Sequence, residues 1–312
     1  MSCIIVKNLC KNYGSLKAVN DVTMSVKSGR VFGFLGPNGA GKSTTIKLLT
    51  TLIQPSSGSL TILDIDAIKN PLKVRQKIGV VLQQPSYEPS LTVEKALEKY
   101  GMMWNVPKVE RKSRMEKLLE DFDLKDIRKK RNEDLSIGQR RRVQVAREFM
   151  HDMELLFLDE PTVGLDPSAR RKLLDYLKNK VKTGLTIFFT THILTEAEYL
   201  CDEIAIINQG KILAIDTPDA LKNKFGKEKT IKIHLLRNQQ NIESLLVGIP
   251  DCQINFHTGT NITIHSTQSE LVLMKVLRIL NENDITIDDL SAVPTNLEEI
   301  FLKMVEENVY NN

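Results

Sequence analysis

The residues Gly36-Pro37-Asn38-Gly39-Ala40-Gly41-Lys42-Ser43-Thr44 carry the strongest chemical signal in this sequence. They satisfy the pattern G-x-x-x-x-G-K-[ST], with Gly36, Gly41, Lys42 and Ser43 in the fixed positions. The chemistry this pattern serves is phosphate binding. Glycines let a backbone pass close to an anion. Successive N–H groups from about Asn38 to Ser43, turned inward, cradle a β-phosphate. Lys42 supplies a positive charge at the β- and γ-phosphates, and the Ser43 hydroxyl is a ligand for Mg²⁺. Such a loop has to be held between a strand and a helix. Residues 30–35 (RVFGFL) read as a short buried strand, and residues 44–51 bring Ile46, Leu48 and Leu49 onto one buried helical face.

Further candidates stand at the ends of other apolar runs. Residues 154–159 (ELLFLD) end in Asp159-Glu160. Carboxylates at the C-terminal end of a parallel strand lie near a phosphate loop. Asp159 is then placed to hold Mg²⁺ directly or through water, and Glu160 to polarise an attacking water. Residues 185–190 (LTIFFT) end in Thr191-His192, where an imidazole reaches a γ-phosphate or that water. Residues 77–82 (KIGVVL) run into Gln83-Gln84-Pro85, and Gln83 either reaches a metal or a water or caps its loop. Ser136 is a good N-cap for a helix with an apolar stripe of Val143, Val145, Ala146, Phe149 and Met150. With the Gly138 amide and the positive helix end it forms a second anion site, or simply a capped helix. Tyr13, before Gly14, is a surface aromatic or a platform for a base.

The totals narrow the field. Against 43 basic and 39 acidic residues, the net charge of +4 does not call for nucleic acid. No run approaches the ~18 apolar residues of a membrane helix. The N-terminal stretch MSCIIVKNLCKNYG lacks a basic region followed by a long apolar core, so no secretory signal is expected, and a cytosolic place is. Cys3, Cys10, Cys201 and Cys252 show no metal-ligand or redox spacing and read as small buried apolar residues. From 92 to about 131 the texture is charged and helical, with Trp104 and the Met102-Met103 pair in the helix core and a basic cluster at 128–131. That cluster is a solvated face or a contact for phosphate or anionic lipid. Residues 205–208 and 211–215 make a hairpin, and 219–225 a helix. After a linker at 226–229, the pattern restarts as β-α-β-β-α-β with a final helix, the order of a ferredoxin-like α+β domain over 230–312. The strand expected near its end covers 284–288.

Together these residues resemble the nucleotide-binding subunit of an ABC transporter, over residues 1 to about 225. The phosphate loop, the glutamine loop at Gln83, the signature LSIGQ at 135–139, the acidic strand end, the D-loop Gly164-Leu165-Asp166 and the switch His192 stand in that family's order. The tail at 294–308 and the region around His192 look like the multidrug or daunorubicin-resistance type of exporter ATPase. The resemblance implies an α/β P-loop NTPase with an ABC-type RecA-like core, an antiparallel β-subdomain and an α-helical subdomain at about 86–150. It implies ATP and Mg²⁺ as ligands, Tyr13 stacked on adenine, and Lys42, Gln83, Glu160 and His192 as the catalytic set. It also implies that Ser136, Gly138 and Gln139 of the signature act on the ATP of a second subunit, a copy of this chain or a paralogue, and that Asp166 belongs to the nucleotide-binding set. A separate membrane permease would be driven through residues 84–91, on the cytoplasmic face of the membrane. No nucleic-acid partner is expected. The alternative, a soluble ABC ATPase working on nucleic acid or ribosomes, usually has two nucleotide domains in one chain or a long coiled-coil insertion, and this sequence has neither. One departure stands out: Ile137 replaces the first signature glycine, and its β-branched side chain must point away from nucleotide. The 230–312 domain carries no catalytic constellation, and its expected role is to reinforce dimerisation.

Overall fold

The computed structural model describes residues 1–84, 86–225, 229–239, 241–294 and 297–310. The chain divides into two compact units, Met1–Thr217 and Pro218–Asn312. The boundary therefore falls before the helix Pro218–Phe225 rather than after it. That helix packs on Leu297–Tyr310, and its Leu221 is fully buried. Most of the expected linker, 226–228, lies outside the described residues, and Lys229 already begins a strand.

The first unit is built on a six-stranded sheet. Its order is Lys211–Asp216, Glu203–Asn208, Val31–Leu35, Thr186–Thr190, Leu155–Asp159 and Ile78–Val81. All pairings are parallel except the Glu203–Asn208 and Lys211–Asp216 hairpin at one edge. The three central strands are buried along their whole length, as parallel strands covered on both faces must be. Phe188 lies at their centre, its ring centroid 5.6 Å from Phe32, 5.4 Å from Phe34 and 5.6 Å from Phe157. This register carries the C-terminal ends of the strands, and hence Leu35, Asp159 and Thr190, to one edge of the sheet.

An antiparallel sheet of Leu16–Lys27, Ser2–Tyr13, Ser57–Ile62 and Ile65–Asp66 covers the core. Its first two strands run far beyond the short apolar segments legible in the sequence. Backbone pairing, interrupted by bulges, continues through polar residues to Tyr13 and Leu16. The helical part contains Val93–Met103, Lys108–Asp121 and Ile137–Glu148. Three of the four residues of the basic cluster are paired within it: Arg128 with Glu94 and Glu116, Lys129 with Glu94, and Arg131 with Glu133. Trp104 stacks on His151 at 3.9 Å. Met102 and Met103, expected in the helix core, are exposed, because they fall on the outer side of the last helical turn. The cysteines are free, but only Cys3 and Cys201 are buried; Cys10 and Cys252 are half-buried.

In the second unit the strands Cys252–Thr258, Asn261–Ser266, Lys229–Leu235 and Ile287–Pro294 form an antiparallel sheet in that order. Numbered along the unit this is 2-3-1-4, the ferredoxin-like arrangement expected from the order of elements. Alternate residues Ile231, Ile233 and Leu235 face a core shared with Val272, Val276 and Leu280 of the helix Ser269–Glu282. The last strand lies later than the sequence pattern placed it. Pairing with Lys229–Leu235 draws in the polar stretch through Ser291 and leaves Asp284 in a turn at φ 53°.

Truncating Phe188 to Ala removes a ring that three other phenylalanines enclose. Unfolding of the first unit in denaturant should become easier by about 3–5 kcal/mol, and a wild-type midpoint would show that the sheet core can close around the gap.

Candidate functional site

The phosphate loop takes its shape from two glycines. A Cβ on Gly36 would stand 2.4 Å from the Ile207 carbonyl oxygen. Gly41 has φ +105°, and a Cβ there would stand 2.4 Å from the Ala18 carbonyl oxygen. The loop is thus wedged between the strand carrying Ile207 and the strand carrying Ala18, and the Gly210 amide donates to the Ala40 carbonyl at 2.9 Å. The helix Lys42–Leu49 that follows has no side-chain cap and no acidic residue in its first turn, so its N–H groups remain available to an anion. Lys42, 7% exposed, turns its ammonium onto the carbonyls of Gly36 (2.7 Å) and Pro37 (3.0 Å). Burial pulls its pKa below the ordinary lysine value, and Glu160 and Asp159 oppose that shift.

Asp159 ends its strand beside this loop. One carboxylate oxygen accepts from Ser43 Oγ at 3.1 Å and the other from Thr190 Oγ1 at 2.6 Å. The next residue, Glu160, takes φ +50°, a left-handed conformation uncommon for a non-glycine residue. Its amide is held by the Thr190 carbonyl at 3.1 Å and lies 3.2 Å from Thr190 Oγ1. The turn swings the Glu160 carboxylate away from Asp159 and toward two other predicted residues. Gln83 Nε2 donates to Glu160 Oε2 at 3.1 Å, and His192 Nδ1 lies 3.4 Å from Glu160 Oε1. The His192 segment is fixed from below, where Thr191 and Thr162 both donate to the buried Glu196 carboxylate, at 2.8 and 2.9 Å.

Sequence reasoning missed Arg141. Its side chain is buried and donates to four backbone carbonyls, Leu82 at 2.7 Å, Asp159 at 2.5 Å, Glu160 at 2.7 Å and Pro161 at 3.2 Å. Burial lowers its pKa to about 10, countered by Asp159 and Glu160, so it stays cationic at neutral pH. One guanidinium therefore fastens the helix behind the signature to the acidic strand end and to the residue before Gln83. The signal was available: Arg141 sits four residues before Val145, in register with the apolar stripe. A charged residue there has to find buried partners. Thr190 and Glu196 also escaped notice, since a threonine at a strand end and a glutamate in a helix carry no sequence mark of their own.

The remaining predicted residues fall in three places. Ser136 caps the helix Ile137–Glu148 in a reciprocal box with Gln139, so the Gln139 side chain is used within its own turn. Ile137 is 71% exposed and packs against the D-loop, where a Cβ on Gly164 would lie 2.7 Å from Ile137 Cγ2. Asp166 caps the helix Pro167–Lys182, accepting from the Ala169 amide at 2.9 Å, and backbone hydrogen bonds hold its pKa below the usual carboxylate range. Tyr13 is half exposed at the hairpin turn, paired with Leu16, with the Lys11 ammonium 5.3 Å from its ring centroid. Leu16 is two residues from the Ala18 that touches Gly41, so the hairpin tip stands about 7 Å along the strand from the phosphate loop.

Replacing Arg141 with Met of similar length leaves four buried carbonyls without their donor. We expect a loss of about 3 kcal/mol or more in stability and a collapse of ATP turnover. Arg141→Lys should recover only part of both, because a point ammonium cannot reach carbonyls on both sides. Near-normal turnover in Arg141→Met would remove the residue from this role.

The ABC transporter family model matches residues 19–163. The chain is 35% identical over 303 residues to the linearmycin resistance ATP-binding protein of Bacillus subtilis, covering 96% of each chain. It is 33% identical over 304 residues to the daunorubicin/doxorubicin resistance ATP-binding protein of Streptomyces peucetius, covering 96% of this chain and 92% of that one. Among solved structures, an ATP-binding subunit of an ABC transporter superposes with a TM-score of 0.67 at 31% identity, over 72% of this chain and 93% of the other. The dimeric, post-hydrolysis ATP-binding cassette MJ0796 bound to ADP and phosphate superposes with a TM-score of 0.64 at 26% identity, over 69% and 98%. With a phosphate loop, an acidic strand end and a signature helix joined in one framework, and relatives matched along nearly their whole length, this chain belongs to the ABC transporter family as an ATP-binding, ATP-hydrolysing subunit.

Proposed function

We propose that this protein powers an exporter of the drug-resistance type by closing as a dimer around ATP. The convergence of Gln83 and His192 on Glu160, beside Asp159, Ser43 and Lys42, carries this reading. In it the phosphate loop from Gly36 to Thr44 holds the phosphates through its amides, and Lys42 leaves its own loop carbonyls for the β- and γ-phosphate oxygens. Tyr13 lies under the adenine. Glu160 accepts a proton from the attacking water, held for it by the Gln83 amide, and His192 contacts the γ-phosphate. The left-handed turn at Glu160 keeps this carboxylate apart from Asp159, so the two acids serve different ends.

A Mg²⁺ ion suits the residues present. Ser43 Oγ donates to Asp159 Oδ2 at 3.1 Å, which puts side by side a hard oxygen pair of the kind Mg²⁺ takes together with phosphate and water. The side-chain oxygen of Gln83 would be a further ligand. When bound, the ion would neutralise charge on the β- and γ-phosphates. Among the described residues there is no cluster of three or more His, Cys, Asp or Glu, which fits an ion held mostly by substrate and water.

The signature residues act on the partner's nucleotide in this reading. Ser136 and Ile137 are exposed at the start of their helix, where a second copy or a paralogue would bring its ATP against the Ser136 hydroxyl and the Gly138 amide. Asp166 of the D-loop borders the same surface. The dimeric MJ0796 cassette supports this arrangement. Among the described residues no helix is long and apolar enough to cross a membrane, so a separate permease supplies the path. We assign its contact to the cleft of about 240 Å³ beside Gln83, lined by Leu82, Gln84, Ser86, Tyr100, Trp104 and Gln144, on the cytoplasmic face of the membrane. The names of the resistance relatives support export. In the second unit, Leu271 and Met274 are exposed three residues apart on one helix, and they would reinforce the dimer.

In Glu160→Gln, turnover should fall by about 10²–10⁴ while ATP binding persists. The mass in solution should double on adding Mg·ATP. An ATP-bound monomer would argue against self-pairing through a signature containing Ile137, and residual turnover near wild type would displace Glu160 as the base.

A further inference from the structure

A second cleft lies on the opposite edge of the sheet from the nucleotide. Its volume is about 520 Å³, larger than the groove beside Gln83 and within the size range of small-molecule sites. Thr186 and Glu154 on its wall stand at the N-terminal ends of the strands whose C-terminal ends carry Thr190 and Asp159. About 17 Å of strand therefore separates it from the site described above. One side belongs to the helix Lys108–Asp121 and the other to the helix Pro167–Lys182, so the cleft spans the helical part and the sheet core.

The charges on its wall do not balance locally. Arg114 is engaged by Asp152 and Glu110, and Glu154 is engaged by Lys77. Both acids on the wall are thereby paired. Lys117 and Lys180 remain, and neither has an ion pair among the described residues. Lys180 is half-buried, with its ammonium 5.4 Å from the ring centroid of Phe149 and 5.1 Å from that of Tyr176. Burial, then the like charges of Lys117 and Arg114, pulls its pKa below the ordinary lysine value, with Asp121 opposing. Beside these cations the wall is apolar: Leu118, and Phe149 and Tyr176 in an edge-to-face pair with ring centroids 5.0 Å apart, while His151, also on the wall, stacks on Trp104. A cleft of this size with two lysines lacking ion pairs, one of them beside an aromatic pair, has the features of a receptor for an anion with an apolar body.

We propose that this cleft binds an amphipathic anion, with a phosphate, sulfonate or carboxylate head between Lys117 and Lys180 and an apolar body packed against Phe149 and Tyr176. A ligand there would touch both the helical part and the core. It is therefore placed to modulate turnover without touching ATP.

The test is titration of the full chain, saturated with ADP to fill the nucleotide site, with 8-anilinonaphthalene-1-sulfonate by calorimetry. One site is expected, weakened about tenfold or more in Lys117→Ala/Lys180→Ala. Lys180→Arg, which keeps the charge, should bind within a few-fold of wild type. Lys117 is exposed, so Lys117→Ala alone tests the head-group contact in a protein whose fold is not at risk. Basal ATP turnover should be unchanged in each variant. Displacement of the dye by phenyl phosphate but not by phosphatidylglycerol vesicles would mark a soluble anion, and the reverse a lipid head group. Equal dye affinity in the wild type and the double variant, or displacement by neither competitor, would overturn the proposal.

Discussion

The Arg141 guanidinium is the interaction on which the rest of the site depends. It is a single buried cation surrounded by backbone carbonyls rather than by carboxylates, and those carbonyls come from the ends of two strands and the turn that follows one of them. Hydrogen bonds from a charged donor are stronger than neutral ones, and in a dry environment they are also more demanding of geometry. The constraint runs both ways. The strand ends cannot drift apart without stranding a buried charge, and the signature helix cannot rotate about its axis without pulling on Leu82 and Pro161. Glu160 and Gln83 flank those two anchors. Any movement of the helical part is therefore felt at the Glu160 carboxylate.

The acidic pair shows how one turn gives two adjacent carboxylates different partners. Asp159 remains in the strand and is satisfied by hydroxyls from Ser43 and Thr190. Glu160, one residue later, adopts a left-handed backbone conformation that costs on the order of 1–3 kcal/mol. The Thr190 carbonyl, the Arg141 guanidinium and the buried Glu196 beneath Thr162 and Thr191 hold that turn in place. The strain is thus supported by the neighbouring strand and the signature helix together. A local sequence of Asp-Glu would not keep this shape without them.

The same logic connects the signature to the D-loop. Gly164, at φ +80°, leaves room for the Ile137 side chain, which a glycine at 137 would not fill. The exposed end of the signature helix is in this way packed against the segment leading to Asp166. An isoleucine in place of a glycine is accommodated on the outer side of the helix, and Gly138 keeps the close approach to Gly164 that a side chain at 138 would forbid.

Most of the residues that meet at the candidate site were legible in the sequence because their patterns are local. Phosphate-loop spacing, a capping serine with a glutamine three residues on, and acids or a histidine after short apolar runs are patterns of a few residues, dictated by backbone geometry at strand and helix ends. The element order of the second unit was legible for the same reason. The tertiary structure decided what depends on distant partners. The turn at Glu160, the Thr190 support and the Arg141 anchor exist only when strands from remote parts of the chain lie side by side. The long antiparallel strands, the late strand Ile287–Pro294 and the place of Pro218–Phe225 in the second unit likewise follow from pairing and packing with segments far away in sequence. Periodicity in a stretch of chain records which face is buried; it holds no record of the neighbour that buries it.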